Sequence, residues 1–210
     1  TYSASSQGWG VVLTDKTSTD SVTTELCGTI NDKPIVSMYQ MFFGSKATSI
    51  DVSSFDTSNV TNMSSMFYNS AATEIKGLEN FDTSNVTEMS SMFKNSVVTT
   101  LDLSSFDTSN VTDMSAMFSY CGYTAMASLD LGDKFDTSNV TSMKFMFYNT
   151  GNNAMTSLDL GDKFDTSNVI NMYGMFQGCG QGAMTSLDLG DKFNTSKVTD
   201  MHRMFDSCGY

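Results

Sequence analysis

Proline, histidine and tryptophan occur once each in this chain, as Pro34, His202 and Trp9. A single proline makes the many Ser, Thr and Asn residues read as short regular turns rather than disordered linkers. The lone His202 stands where related positions are polar, so it reads as a surface residue and not as a general base. Basic residues are scarce, 11 against 23 acidic ones for a net charge of −12. That balance argues against nucleic acid and anionic membrane surfaces as partners, since both require a basic face. No apolar run approaches the length of a bilayer span, so no membrane insertion is expected. No nucleophile pairs with a base, no metal-spaced cluster occurs, and no phosphate loop is present. No catalytic residue, metal or cofactor is therefore assigned, and the chain reads as not an enzyme. An initiator Met and a signal peptide are both missing before Thr1, which reads as processing or trimming.

What the chain has in abundance is repetition. FDTSNV stands complete at Phe55, Phe81, Phe106, Phe135 and Phe164 and returns as FNTSKV at Phe193, with spacings of 26, 25, 29, 29 and 29 residues. A worn copy fits at Ile30, because Ile35, Met38, Met41 and Phe42 repeat the spacing of Val60, Met63, Met66 and Phe67. Such periods mark solenoids, in which each unit buries its apolar face against its neighbours. The expected organisation is one elongated domain, with residues 1–24 as an N-terminal cap and residues 25–210 as the solenoid. Trp9 is expected to plug the apolar end.

Each unit divides in two. Ile50-Asp-Val52, Leu101-Asp-Leu103, Leu129-Asp-Leu131, Leu158-Asp-Leu160 and Leu187-Asp-Leu189 alternate at period two, which predicts a strand with the apolar residues inward. Glu74-Ile75-Lys76-Gly77-Leu78 carries one residue more and predicts a bulge. Val111, Met114, Met117 and Phe118 fall on one helical face, which predicts a short helix capped by Asn110 or Ser109. Acidic residues such as Glu88, Asp113 and Asp200 suit a capping box there. From residue 122 onward, stretches such as Gly122–Met126 enlarge one turn. The Met and Phe columns are core, Met being adaptable enough to fill gaps between unequal coils. The predicted fold class is an α/β repeat: a right-handed, leucine-rich-repeat-type solenoid of about seven strand–short helix coils, with a parallel sheet on one face.

The run LDLSSFDTSNVTDMSAMF, from Leu101 to Phe118, resembles the BspA-like leucine-rich-repeat surface proteins of bacteria. The resemblance covers residues 25–210 and implies an exported protein, secreted or attached at the cell surface, with adhesive or interaction roles. Its motif is structural and carries over no catalytic residue. The 29-residue units depart from its plainest form.

The predicted strands expose a uniform face: Ser49 with Asp51, Thr100 with Asp102, Ser128 with Asp130, Ser157 with Asp159 and Ser186 with Asp188. Like charges about 4.8 Å apart in water repel by about 0.9 kcal/mol. A solvated column, interrupted by Lys76 and partly neutralised by Lys134, Lys163 and Lys192, is expected in preference to Ca²⁺ at Asp102, Asp130, Asp159 and Asp188. The known Ca²⁺-loop signatures are missing. Cys121, Cys179 and Cys208 share one turn position, where Cys179 and Cys208 lie on adjacent coils and are candidates for a disulfide. Asn59, Asn62, Asn85, Asn110, Asn139 and Asn194 are sequons and potential glycosylation sites, although a structural role for Asn suffices to explain them.

These observations predict a non-catalytic extracellular or cell-surface scaffold with an adhesive or structural role. Its expected partner is a glycan or protein of a host or neighbouring cell surface. A face that grips one irregular protein should vary from coil to coil, whereas a uniform face suits a repetitive ligand. A second expectation is a filament: the core row Leu187, Leu189, Phe193, Val198, Met201, Met204 and Phe205 would meet the N-terminal segment of another copy, with Cys27 close to Cys208. A remoter one is an ice- or crystal-surface binder.

Overall fold

The computed structural model describes residues 1–5 and 8–209. The chain winds as a parallel β-solenoid. Bridges run from Ser37 to Asn62, Glu88, Asp113, Ser142, Asn171 and Asp200, six successive full turns. The strands of the apolar–Asp motif are β6 (Ser49–Asp51), β7 (Glu74–Lys76), β8 (Thr100–Asp102), β9 (Ser128–Asp130), β10 (Ser157–Asp159) and β11 (Ser186–Asp188). Among them β6 pairs with β7, β8 with β9 and β10 with β11, each in parallel and in register. Ile50, Leu101, Leu129 and Leu158 point into the core.

The N-terminal segment lies outside the sequence repeat but follows the coil path. β1 (Tyr2–Ser5) and β2 (Gly8–Gly10) form an antiparallel pair, and β2 runs parallel to β5 (Lys33–Ser37). Leu13 N donates to Met41 O at 2.9 Å, and β3 (Val22–Thr23) pairs with β6. β4 (Thr29–Ile30) turns back on β5 through Asn31 and Asp32, both with positive φ as a tight hairpin requires. Trp9 is half-buried, its Nε1 donating to Ile30 O at 2.9 Å.

Two local expectations are corrected. The extra residue of the third unit makes no bulge, since Ser49–Asp51 and Glu74–Lys76 pair without a slip. It is absorbed afterwards by Gly77, at φ 90°, and a 3-10 turn over Leu78–Asn80. The predicted helix is absent as well: among the described residues no α-helix occurs, so the strand–helix reading gives way to an almost wholly β coil.

The reason lies in the backbone bonds. Val60, Met63, Met66 and Phe67 are all fully buried, as their spacing requires. Yet the chain reaches that arrangement by successive turns, Met66 N to Met63 O, Tyr68 N to Ser65 O and Ser70 N to Phe67 O. Ser65 and Asn69 take left-handed φ of 56° and 58°. Between these bonds Met63, Ser65, Phe67 and Asn69 donate to Glu88, Ser90, Met92 and Lys94 of the next coil at 2.8–2.9 Å. A helix would spend its interior amides within its own coil. Here alternate amides tie each coil to its neighbour, forming a second ladder. Nor do the motif asparagines cap helices. Asn85, Asn110, Asn139 and Asn168 donate Nδ2 to Ser58, Ser84, Ser109 and Ser138 O one coil back, at 2.7–2.9 Å.

Phe42, Phe67, Phe93, Phe118, Phe147, Phe176 and Phe205 stack in one column, with ring centroids 5.3–5.9 Å apart. Aromatic pairs of this kind add about 0.5–1.5 kcal/mol each beyond burial. Where the coils lengthen, Gly122, Gly151 and Gly180 open a wider turn closed by Met126, Met155 and Met184 N. The core position held by Ala47, Ala72 and Val98 then passes to these methionines, which fill the larger section.

Candidate functional site

Three side-chain oxygens close most coils, and they account for the repeated carboxylates. Asp51, Asp102, Asp130, Asp159 and Asp188 each accept through Oδ1 the amide two residues on, at 2.8–3.0 Å. Asp56, Asp82, Asp107, Asp136 and Asp165 do the same after the motif Phe, as do Asn62, Asp113, Asn171 and Asp200 in the second ladder. Each is an Asx turn at a corner. Hydrogen bonds from Ser104, led by its backbone amide, hold the Asp102 carboxyl below the usual range, and those from Ser53, led by its hydroxyl, lower Asp51.

The face expected to carry a ligand therefore serves as a corner. Ser49 bonds to the Ser21 hydroxyl at 2.8 Å, while Thr100, Ser128, Ser157 and Ser186 lie exposed beside their aspartates. Lys76 interrupts the acidic column and pairs with Glu74 at 3.3 Å. Among the described residues no group of three or more His, Cys, Asp or Glu is arranged to hold a metal ion.

The sequons divide by role. Asn85, Asn110 and Asn139 join coils, Asn59 donates to the Ser58 hydroxyl at 3.3 Å, and Asn62 and Asn194 accept in Asx turns. All four cysteines are free thiols. Cys121 is buried against the Ser96 hydroxyl at 3.4 Å, and burial pushes its thiol up to about 12. Cys179 is buried and raised further, chiefly by desolvation and then by nearby Cys208. Cys27 is exposed. At the last coil Met204 is buried, Leu187, Leu189, Phe193 and Val198 are partly so, and Met201 and Phe205 are exposed. Tyr210 lies outside the described residues.

The sequence reading missed a different surface, the outer side of the second ladder. Around the Met, Met and Phe of each coil, four positions occupy its turns. The first is Tyr39, Ser64, Ser90, Ser115, Lys144, Tyr173 and His202 in successive coils; the third is Phe43, Tyr68, Lys94, Ser119, Tyr148, Gln177 and Asp206. These positions change from coil to coil, while the strand face stays Ser or Thr with Asp in every coil but the third, which carries Glu74 and Lys76. The signal was present in the sequence as this contrast, but the helix reading dispersed the positions around a cylinder.

The resulting aromatics touch one another. Phe43 meets Tyr68 edge-on at 5.0 Å, with Lys16 over the first ring and Lys94 over the second. A second group links Tyr123, Tyr120, Tyr148, Phe145, Tyr173 and His202 at 5.0–5.9 Å. Lys144 Nζ lies 5.5 Å from both the Phe145 and Tyr173 rings. Gly174 leaves the room for this packing, since a Cβ there would lie 2.6 Å from the Phe145 ring. The four positions over seven coils hold Lys94, Lys144 and Arg203 against Asp206. Beside them in the same ladder lie the carboxylates of Glu88, Asp113 and Asp200, so the charges on this side are mixed.

No curated protein and no solved structure matches the chain. A family model does, over residues 36–156 and again over 122–209, the region of the stacked coils. That match spans most of the repeat array, and the chain belongs to the family described as Mycoplasma protein of unknown function, DUF285.

Proposed function

We propose that this chain is a non-catalytic binding scaffold of the extracellular or cell surface, akin to the BspA-like leucine-rich-repeat surface proteins, with an adhesive role. The observation that carries the proposal is the contrast between two faces of one solenoid. The strand face is uniform apart from Glu74 and Lys76, and its aspartates close corners. The turn face varies and bears interlocked aromatics with cations over them. Binding energy concentrates in a few unlike anchors, with Tyr and Arg prominent among them. Variation on a rigid repeat supplies such anchors without disturbing the core.

The test is saturable binding of the full chain to arrayed cell-surface glycans and to displayed protein and peptide libraries. The proposal expects a ligand whose binding is lost when the turn face is altered and kept when Ser128, Ser157 and Ser186 are changed to Ala. Absence of any saturable ligand would count against it.

A further inference from the structure

We propose that the three motif arms at residues 53–61, 79–88 and 104–113 form a docking surface for a Lys- and Arg-rich segment of a partner protein. These segments are not those of the turn face, so the inference goes beyond the scaffold reading and is tested separately from it.

The arms lie side by side. Asn80 and Asn85 donate Nδ2 to Ser53 O at 3.1 Å and Ser58 O at 2.9 Å. Ser105 Oγ donates to Leu78 O at 3.1 Å, and Asn110 Nδ2 to Ser84 O at 2.7 Å. Most donors of this surface are thereby committed to the protein itself. The hydroxyls of Ser58, Ser84 and Ser109 donate to Oδ1 of Asp56, Asp82 and Asp107 at 2.6 Å. Those of Thr61 and Thr87 donate to carbonyls one coil back. Apart from one N–H of each Asn, what faces solvent accepts: the second oxygens of the three aspartates and Oδ1 of Asn59, Asn85 and Asn110. Such a surface selects a ligand rich in N–H donors, above all charged ones.

Charge selects in the same sense. The three arms hold Asp56, Glu79, Asp82, Glu88, Asp107 and Asp113, and no Lys or Arg. The flanking coils add Glu25, Asp32 and Lys33 on one side and Asp133, Lys134 and Asp136 on the other, which leaves the sign unchanged. Lys76, on the strand before Glu79, is paired with Glu74. Complementarity of this kind sets orientation and association rate.

In the last coil the chain supplies such a ligand group itself. FNTSKV places Lys197 at the Asn position, and its Nζ donates to Asn168 Oδ1 at 2.7 Å. The neighbouring Asp165 carboxyl, lowered chiefly by the Ser167 hydroxyl, is lowered further by Lys192 and Lys197. An ammonium group thus engages one Asp–Asn pair of the motif. The same pair recurs as Asp56 with Asn59, Asp82 with Asn85 and Asp107 with Asn110, where the three arms provide no cation. Among the described residues no three His, Cys, Asp or Glu converge as a metal ion requires. Carboxylates presented one per coil, about 4.8 Å apart, suit a row of ammonium or guanidinium groups on flexible stems.

The experiment titrates the full chain with fluorescent oligo-arginine and oligo-lysine peptides, read by anisotropy. The surface variants are Asn85→Lys with Asn110→Lys, and Asp82→Asn with Asp107→Asn. Both changes already occur in the last coil, as Lys197 and Asn194, and thermal melts check that each variant is folded. Ser128→Lys with Ser157→Lys makes the same change of charge on the strand face. The expected result is saturable binding that weakens as salt rises. Affinity should fall at least about tenfold in both surface variants and change little in the strand-face variant. No saturable binding would overturn the proposal, as would equal losses in all three variants, which would mean diffuse attraction to an acidic chain. Displacement of the peptides by Ca²⁺, but not by Na⁺ at the same ionic strength, would replace the partner with a metal ion. Spermine binding as tightly as the peptides would replace it with a free polyamine. None of these outcomes bears on the turn-face ligand, which is read from its own libraries and arrays.

Discussion

The Thr166 hydroxyl serves both directions of a junction between coils: Oγ1 donates to Asn194 O at 2.8 Å and accepts from Asn194 N at 2.6 Å. Thr57, Thr83, Thr108 and Thr137 are likewise buried and donate to the carbonyl of the next coil at 2.8–3.0 Å. Thr166→Val keeps the shape but strands the Asn194 groups. Chemical denaturation should show a loss of about 1–3 kcal/mol. The carboxylates add a pH dependence. Hydrogen bonds from Ser109 and Ser167, led by their hydroxyls, hold Asp107 and Asp165 below the ordinary 3.8. A depressed folded pKa contributes stability above the unfolded value and loses it as pH falls through the folded one. Melting temperature should therefore drop as the pH is lowered below about 4; a flat profile through that window would contradict these turns. The thiols give a third residue-scale outcome. Cys27 should react rapidly with a disulfide reagent, Cys208, raised to about 11 by burial, slowly, and Cys121 and Cys179 only on unfolding. Much of this was written in the sequence as Asp-x-Ser and Asp-x-Gly. It remained illegible because a carboxylate two residues before a small residue suits an exposed strand end, a helix cap and an Asx turn equally well.

Among the elements, the apolar strands and the buried set Val, Met, Met, Phe were legible because spacing fixes which side chains face inward. The helix was not, because spacing leaves open which backbone path brings them there. Two left-handed residues per coil let turns mimic a helical face, and in several coils neither is glycine. Ala116, at φ 55°, is one of them. A left-handed L-residue costs about 1–2 kcal/mol, whereas glycine adds an unfolded-state entropy cost of about 0.4–1 kcal/mol. Ala116→Gly should accordingly stabilise by some tenths to about 1 kcal/mol, read as a higher denaturation midpoint; a lower midpoint would show that the turn is not left-handed. Gly174→Ala should act in the opposite sense, combining a φ of 59° with a clash against the Phe145 ring. The longer units follow the same logic, in that a wider turn is matched by Met126, Met155 or Met184 in place of Ala or Val.

At the scale of the molecule, coils joined on two sides by backbone ladders, and through the middle by a phenylalanine column, form a continuous stack. Conserving that stack confines variation to side chains pointing outward from the turns. The candidate binding ridge depends on the same geometry. Only when the Met–Phe side of each coil is a run of turns, laddered to the next, do Tyr120, Tyr148, Phe145 and Tyr173 align along the solenoid. If that side were helical, these residues would be spread around separate cylinders. The far-UV circular dichroism spectrum of the folded full chain tests this most directly. The turn-built solenoid predicts a β-type spectrum without the double minimum of α-helix, whereas a double minimum matching one short helix per coil would contradict both the fold and the ridge built on it.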